Sequence, residues 1–215
     1  ACRDAGVRLS VGYRLQFDPF HREMMRLGQE QVFGPVKVVE ASFGFRIGDP
    51  TQWRMDKHLA GGGPLMDVGI YAIQGARYVT GEEPVAVTAR TVTTDPEKFS
   101  EVEETVLWTL EFPSGAVAVS SSTYNGNVNR LYAMAPDGSF EVEPAYSYGG
   151  LQGRAGRDPM AFEPVNQQAL QMDDFADAIL TGRASPVSGE EGVRDMKIID
   201  AIYRSAEANG QRIML

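Results

Sequence analysis

Apolar residues along this chain recur at strand spacing in some stretches and at helical spacing in others. Arg8–Tyr13 contains a short strand-like run, and Asp18-Pro19 reads as the cap and first residue of a helix. That helix is expected to bury Phe20, Met24 and Leu27 and to stop near Gly28. Val36–Arg46, rich in Val and Phe at period two, predicts a long strand. A polar loop then leads through Gly48-Asp49-Pro50 to Trp53-Arg54. Gly61-Gly62-Gly63-Pro64 launches a helix running to about Thr80, closed by Gly81.

Further on, Val106, Trp108, Leu110 and Phe112 alternate strictly, and Pro113-Ser114-Gly115 turns the chain into Ala116–Tyr124. Leu131–Ala135 and Phe140–Val142 flank Pro136-Asp137-Gly138-Ser139, a second hairpin signal. Hairpins in series imply an antiparallel meander packed on helices by at least one face. The Gly- and Arg-rich stretch Tyr146–Met160 predicts irregular chain or a short edge strand. Two helices follow. The first is expected to bury Val165, Ala169, Met172, Ala176 and Ile179 and to end at Gly182. The second has a capping box of Ser188 and Glu191, with Met196, Ile199, Ile202, Tyr203 and Ala206 on its buried face. The expected class is therefore α+β: one domain over residues 1–215, with a largely antiparallel, open-faced sheet and helices packed on one face.

Composition narrows the partners. The chain has 215 residues and 43% hydrophobic content, enough for one ordinary core, and no apolar run long enough to cross a bilayer. A net charge of −9 repels phosphate backbones and anionic lipid, so neither nucleic acid nor membrane is expected as a partner. Cys2 alone cannot form an intrachain disulfide, and with His21 and His58 it shows no metal-ligand spacing, so no metal is expected. A cytoplasmic location is expected, with the periplasm left open because many exported proteins also lack disulfides. Ala1-Cys-Arg-Asp-Ala-Gly6 reads as the tail of an amphipathic helix, so residue 1 is expected to follow further chain.

Chemistry concentrates in Ala60–Gln74. Asp67 and Tyr71 stand four apart and would project from the same side of a helix. Their neighbours Leu65, Met66, Val68, Ile70, Ala72 and Ile73 leave almost no polar face, so the helix should be buried and a carboxylate within it needs a partner. In a purely structural role, Asp67 meets the positive end of the helix dipole and Tyr71 is a core tyrosine with its hydroxyl satisfied. The three glycines let a ligand or a second backbone approach closely and leave free N–H groups at the helix start.

Arg54-Met-Asp56, Leu59–Gly63 and Pro64-Leu-Met-Asp67-Val-Gly-Ile-Tyr71-Ala-Ile-Gln74 together resemble the signature of the glucose–fructose oxidoreductase/inositol dehydrogenase (Gfo/Idh/MocA) family. Ser10–Arg14 followed by Asp18-Pro19 resembles the family's crossover between domains, Phe112–Ala116 its sheet hairpin, and Gly189–Tyr203 its closing helix. The resemblance spans essentially the whole chain and implies the C-terminal substrate-binding and dimerisation domain of an oxidoreductase that uses NAD or NADP. It implies that Tyr71, as in the glucose–fructose oxidoreductase branch, handles the proton at the carbon undergoing hydride transfer, with Asp67 orienting substrate or tuning Tyr71. A free phenol ionises near pH ~10, so a neighbouring cation must assist. The family supplies it as the lysine of a Glu-Lys-Pro motif in the nucleotide domain. Lys37, Lys57, Lys98 and Lys197 stand in no such motif, and no G-x-G-x-x-G lies between a strand and a helix. By itself the chain is expected to be inactive and to bind no cofactor, its N-terminal Rossmann domain being absent from it.

Among other residues, Arg14 and Arg54 could each meet a ribose, a nicotinamide amide or a sugar hydroxyl, although a solvated surface arginine is the ordinary role of either. Trp53 and Arg54 suit sugar recognition, and His58 could shuttle a proton or stand exposed in its loop. Asp173-Asp174 and Glu190-Glu191 are adjacent on helices, so neither pair can flank a glycosidic bond; a solvated face and the capping box explain them. Val117, Val119, Trp108 and Leu110 cannot all face the same helices, so the second sheet face carries apolar groups. A homo-oligomer packed sheet to sheet is therefore expected. The alternative to an enzyme is a sugar-binding or dimerising module of the same fold.

Overall fold

In the computed structural model, which describes residues 1–215, Asp18 starts the first helix as expected. Its carboxylate accepts from the Phe20 N–H at 2.9 Å, with Pro19 at the first helical position. Five helices follow the chain: α1 (Pro19–Gln29), the short α2 (Lys57–Ala60), α3 (Ile70–Thr80), α4 (Gln167–Thr181) and α5 (Gly189–Glu207). Nine strands form one sheet: β1 (Val38–Gly44), β2 (Ala86–Val92), β3 (Thr105–Glu111), β4 (Val117–Thr123), β5 (Val128–Ala135), β6 (Gly138–Val142), β7 (Gly153–Ala155), β8 (Asp158–Met160) and β9 (Ile213–Met214).

The α+β class and the open sheet are as expected, but the topology is not a plain meander. The strand order is β8-β7-β6-β5-β1-β4-β3-β2-β9. β1 inserts between β4 and β5 and runs parallel to β4, the one parallel pair in an otherwise antiparallel sheet. Parallel neighbours cannot be joined by a tight turn, so no local signal marks this insertion. Both hairpins at Pro113–Gly115 and Pro136–Gly138 form, and Tyr146–Met160 supplies the edge hairpin β7–β8.

Trp108 and Leu110 face the helices and are buried, while Leu107 and Val119 point the other way and are about half exposed. Ile73, Ala76 and Val79 of α3 lie in the main core with Val39, Ala41 and Ile199. Each such aliphatic side chain larger than alanine stabilises the fold by about 1.5–3 kcal/mol. A second, smaller core of Ile47, Met55, Phe99, Val102 and Tyr124 anchors the turn Trp53–Met55 beside β4.

Three helical expectations need correction, the first being that Met196, expected on the buried face of α5, is 46% exposed. The stripe assigned to the buried face of α4 is open to solvent, with Met172 71% and Ile179 52% exposed, while Gln167 and Ala178 are buried instead. Periodicity marks an apolar stripe without saying what covers it. In α5, Ser188 does occupy the cap, but its side chain makes no capping bond and Glu191 does not reach back. Glu191 is buried against Arg77 at 2.7 Å, and that charge pairing takes the carboxylate the box required.

Candidate functional site

The helix expected to run from Pro64 begins as a single π-helical turn, Leu65–Gly69, before α3 takes over at Ile70. Such turns widen a helix locally and are frequent at functional sites. Gly62 and Gly63 permit its close packing: a Cβ on Gly63 would stand 2.6 Å from the Glu103 carbonyl oxygen, and one on Gly62 2.2 Å from the Tyr203 hydroxyl. The N–H groups here are not free, contrary to the sequence expectation. Gly63 N–H and Leu65 N–H donate to the Glu103 carboxylate at 2.9 and 3.2 Å, and the Tyr203 hydroxyl donates to the same group at 2.8 Å. An acidic side chain thus occupies the positive end of the helix.

Asp67 meets Tyr124 just beyond the end of β4, and Tyr71 meets Phe43 near the end of β1. Oδ2 of Asp67 accepts from Arg54 Nε and from the Tyr124 hydroxyl, both at 2.9 Å. Burial, followed by the negative charge of Asp67, pushes the Tyr124 phenol up, so it stays a donor. The other oxygen, Oδ1, has no partner in the chain, and the side chain retains 24% of its exposure. Tyr71 packs its ring edge-on against Phe43 at 5.6 Å and tilted against Tyr146 at 6.0 Å. Its hydroxyl makes no hydrogen bond within the chain, so the satisfied core tyrosine of the structural reading is not what the fold contains.

Arg54 stacks on the Trp53 ring at 4.5 Å, which brings both expected substrate residues to Asp67. Trp53 is 51% exposed, and the terminal guanidinium nitrogens of Arg54 carry no hydrogen bond in the chain. Arg14 is placed differently from expectation. Its guanidinium is buried, donating to the carbonyl oxygens of Tyr146 at 2.6 Å and Ser147 at 3.2 Å and to the Gln167 side chain. Those bonds leave no exposed donor for a ribose or nicotinamide amide, and the solvated surface position is equally excluded. Arg14 instead lies beside two rings of the site, its guanidinium carbon 5.4 Å from the Tyr71 ring centroid and 4.1 Å from that of Tyr148. His58 is exposed on α2, and His21 is buried against the Ala145 carbonyl at 2.8 Å, where burial lowers its pKa. No group of three potential metal ligands forms, and no helix is long and apolar enough to cross a membrane.

Sequence reasoning missed Tyr124, Glu103 and Tyr148. The first two reach the site only through strand register, and Tyr148 was passed over in a glycine-rich stretch.

Two family models match this chain: the GFO/IDH/MocA C-terminal domain over residues 21–143 and the C-terminal alpha/beta domain of an oxidoreductase family over residues 157–215. A D-xylose 1-dehydrogenase [NADP(+)] of Haloarcula marismortui is 29% identical across 96% of the chain and 60% of its own length. A D-xylose 1-dehydrogenase (NADP(+)) of Haloferax volcanii is 32% identical across 96% of the chain and 64% of its own length. Among solved structures, the aldose-aldose oxidoreductase of Caulobacter crescentus, complexed with glycerol, superimposes with a TM-score of 0.93 at 43% identity. That match covers 100% of this chain and 66% of the other. The chain thus spans somewhat under two thirds of the relatives it matches.

Proposed function

The chain belongs to the GFO/IDH/MocA oxidoreductase family, and we propose that it forms the substrate-binding part of an NAD(P)-dependent oxidoreductase acting on a sugar, polyol or related compound. What supports this most is the Asp67–Tyr71 pair: a carboxylate held on one oxygen by Arg54 and Tyr124, with its second oxygen unpartnered, beside a phenol whose hydroxyl is unspent. A sugar hydroxyl can donate to Asp67 Oδ1 while Tyr71 Oη gives or takes the proton of the reacting oxygen. Arg54 adds donors and Trp53 a flat apolar face, which suit a neutral polyhydroxylated ring. The D-xylose dehydrogenases among its relatives point to the same substrate class.

A bound nicotinamide would carry the hydride. The residues of this chain do not fit the phosphates of a dinucleotide, because the candidate helix start is filled by Glu103 and no glycine-rich strand-to-helix turn is present. The cofactor seat is proposed to lie in a separate nucleotide-binding domain of the full-length protein, and the chain alone is proposed to be inactive. With that protein, D-xylose, D-glucose and glycerol are each offered with NAD⁺ or NADP⁺ and nicotinamide reduction is followed. Turnover of at least one is expected. Failure with all of them, alongside measurable sugar binding, would leave the sugar-binding module as the better reading.

The outer sheet face supports assembly as a companion role. Leu107, Val119 and Met134 are each 41–50% exposed there, on strands whose other face is fully covered. A sheet-to-sheet homo-oligomer is proposed. Val119→Asp would bury a charge in that contact and is expected to shift the protein toward monomer in sedimentation; an unchanged mass would move the contact elsewhere.

A further inference from the structure

The chain carries a second exposed aromatic beside the proposed reacting pair. Tyr148 is 70% exposed, yet its ring is not loose, because the Arg14 guanidinium lies 4.1 Å from its centroid. That guanidinium is itself fixed, buried on the carbonyl oxygens of Tyr146 and Ser147 and on the Gln167 side chain. Gln167 is held in turn by Asp18, its Nε2 donating to Oδ2 at 2.7 Å. The same guanidinium stands 5.4 Å from the Tyr71 ring centroid. Tyr148 and Tyr71 therefore share one cation, and a buried arginine is used as a bracket that holds a surface ring at a set place beside the candidate proton donor.

The arrangement mirrors the one at Asp67. There Trp53, also exposed, is stacked by Arg54 at 4.5 Å, and Arg54 bonds Asp67. Each member of the pair thus has an arginine at its side and an arginine-held aromatic beyond it: Trp53–Arg54–Asp67 and Tyr71–Arg14–Tyr148. A largely exposed flat ring held beside a guanidinium offers a rigid apolar surface with little entropy left to lose on binding. Sugar rings present apolar C–H faces as well as hydroxyls, whereas an anionic ligand would be drawn to the guanidinium edges, and those of Arg14 are buried inside the fold.

Resting on the reading of Asp67 and Tyr71 as the reacting pair, we propose that Tyr148 is a substrate-positioning residue, a second aromatic wall that takes the C–H face of a neutral sugar ring and aims its reacting carbon at Tyr71. It is 70% exposed and its hydroxyl bonds neither Asp67 nor Tyr71, so it acts on where the sugar sits and not on the proton itself.

The full-length protein is assayed with the best substrate among D-xylose, D-glucose and glycerol. Tyr148→Ala is expected to raise KM by roughly tenfold with kcat changed less than about threefold. Tyr148→Phe, which keeps the flat face, is expected to restore KM, and Tyr148→Leu, which keeps bulk without the face, is not. Unchanged KM in both Ala and Leu variants would overturn the proposal while leaving the reacting pair intact, provided Tyr71→Phe is inactive. If Tyr71→Phe is active, or no substrate turns over, the reading of the pair fails and this proposal falls with it.

Discussion

Tyr71→Phe in the full-length protein should lower kcat by about 10²- to 10⁴-fold, the usual contribution of a positioned proton donor, and leave the Kd for the nicotinamide cofactor within about twofold. The substitution removes one oxygen and little else. Phe43, Tyr146 and Arg14 all meet Tyr71 through its ring, which phenylalanine retains, and the hydroxyl has no partner in the fold whose loss would be felt. Stability should therefore hold, separating a chemical effect from a structural one. Calorimetry would give the cofactor Kd and steady-state rates the turnover. Near-normal turnover would remove Tyr71 from proton transfer, and a large rise in cofactor Kd would make it a cofactor contact instead.

How much of this site was legible in the sequence follows from the range over which each contact acts. Asp67, Tyr71, Trp53 and Arg54 were all readable because they fall within one short segment whose glycines, proline and apolar run are local signals. Arg54 and Asp67 are only 13 residues apart. Tyr124 comes from 57 residues beyond Asp67, set by the end of β4, and nothing near it in the chain announces that register. Glu103 was equally silent, and without it the glycine-rich start looked like open anion-binding N–H groups. The π-turn packs against Ser122 of β4 through Gly69 and has the apolar pattern of an ordinary helix. At the scale of the fold, turns at Pro113–Gly115 and Pro136–Gly138 specified their hairpins, whereas the insertion of β1 is a pairing between distant segments. Arg14 shows the reverse failure: arginine is so commonly solvated that its type argued for the surface, and only the carbonyl oxygens waiting at Tyr146 and Ser147 reverse that.

The largest effect on stability is expected at Arg77, which the chain buries between α3 and α5. It is 3% exposed and meets Asp195 at 2.6 Å, Glu191 at 2.7 Å and Glu83 through two bonds of 2.7 and 2.8 Å. Asp195 is fully buried and takes a further bond from Gln74 Nε2 at 2.8 Å. Burial opposes the charge on Arg77, yet Glu83, Asp195 and Glu191 together raise its pKa. Burial also raises the pKa of Asp195, with Arg77 as the main opposing influence. Arg77→Met keeps much of the volume and removes the cation, leaving the buried Asp195 with no positive partner and Glu191 with only the half-exposed Arg194. Near neutral pH the loss should be about 3–5 kcal/mol, read from chemical denaturation. Its pH dependence has a definite sign. A carboxyl whose folded pKa lies above its unfolded value binds its proton more tightly when folded, so its contribution to stability is lost as pH rises through the folded pKa. Removing Arg77 takes away the main influence that opposes burial at Asp195, so the folded pKa of Asp195 rises further, and its protonation on acidification relieves the unpaired charge. The deficit of the variant should therefore shrink as pH falls from neutral toward the range in which Asp195 protonates. A loss below about 1 kcal/mol, or one that stays constant with pH, would mean that water or a rearranged side chain already neutralises the cluster.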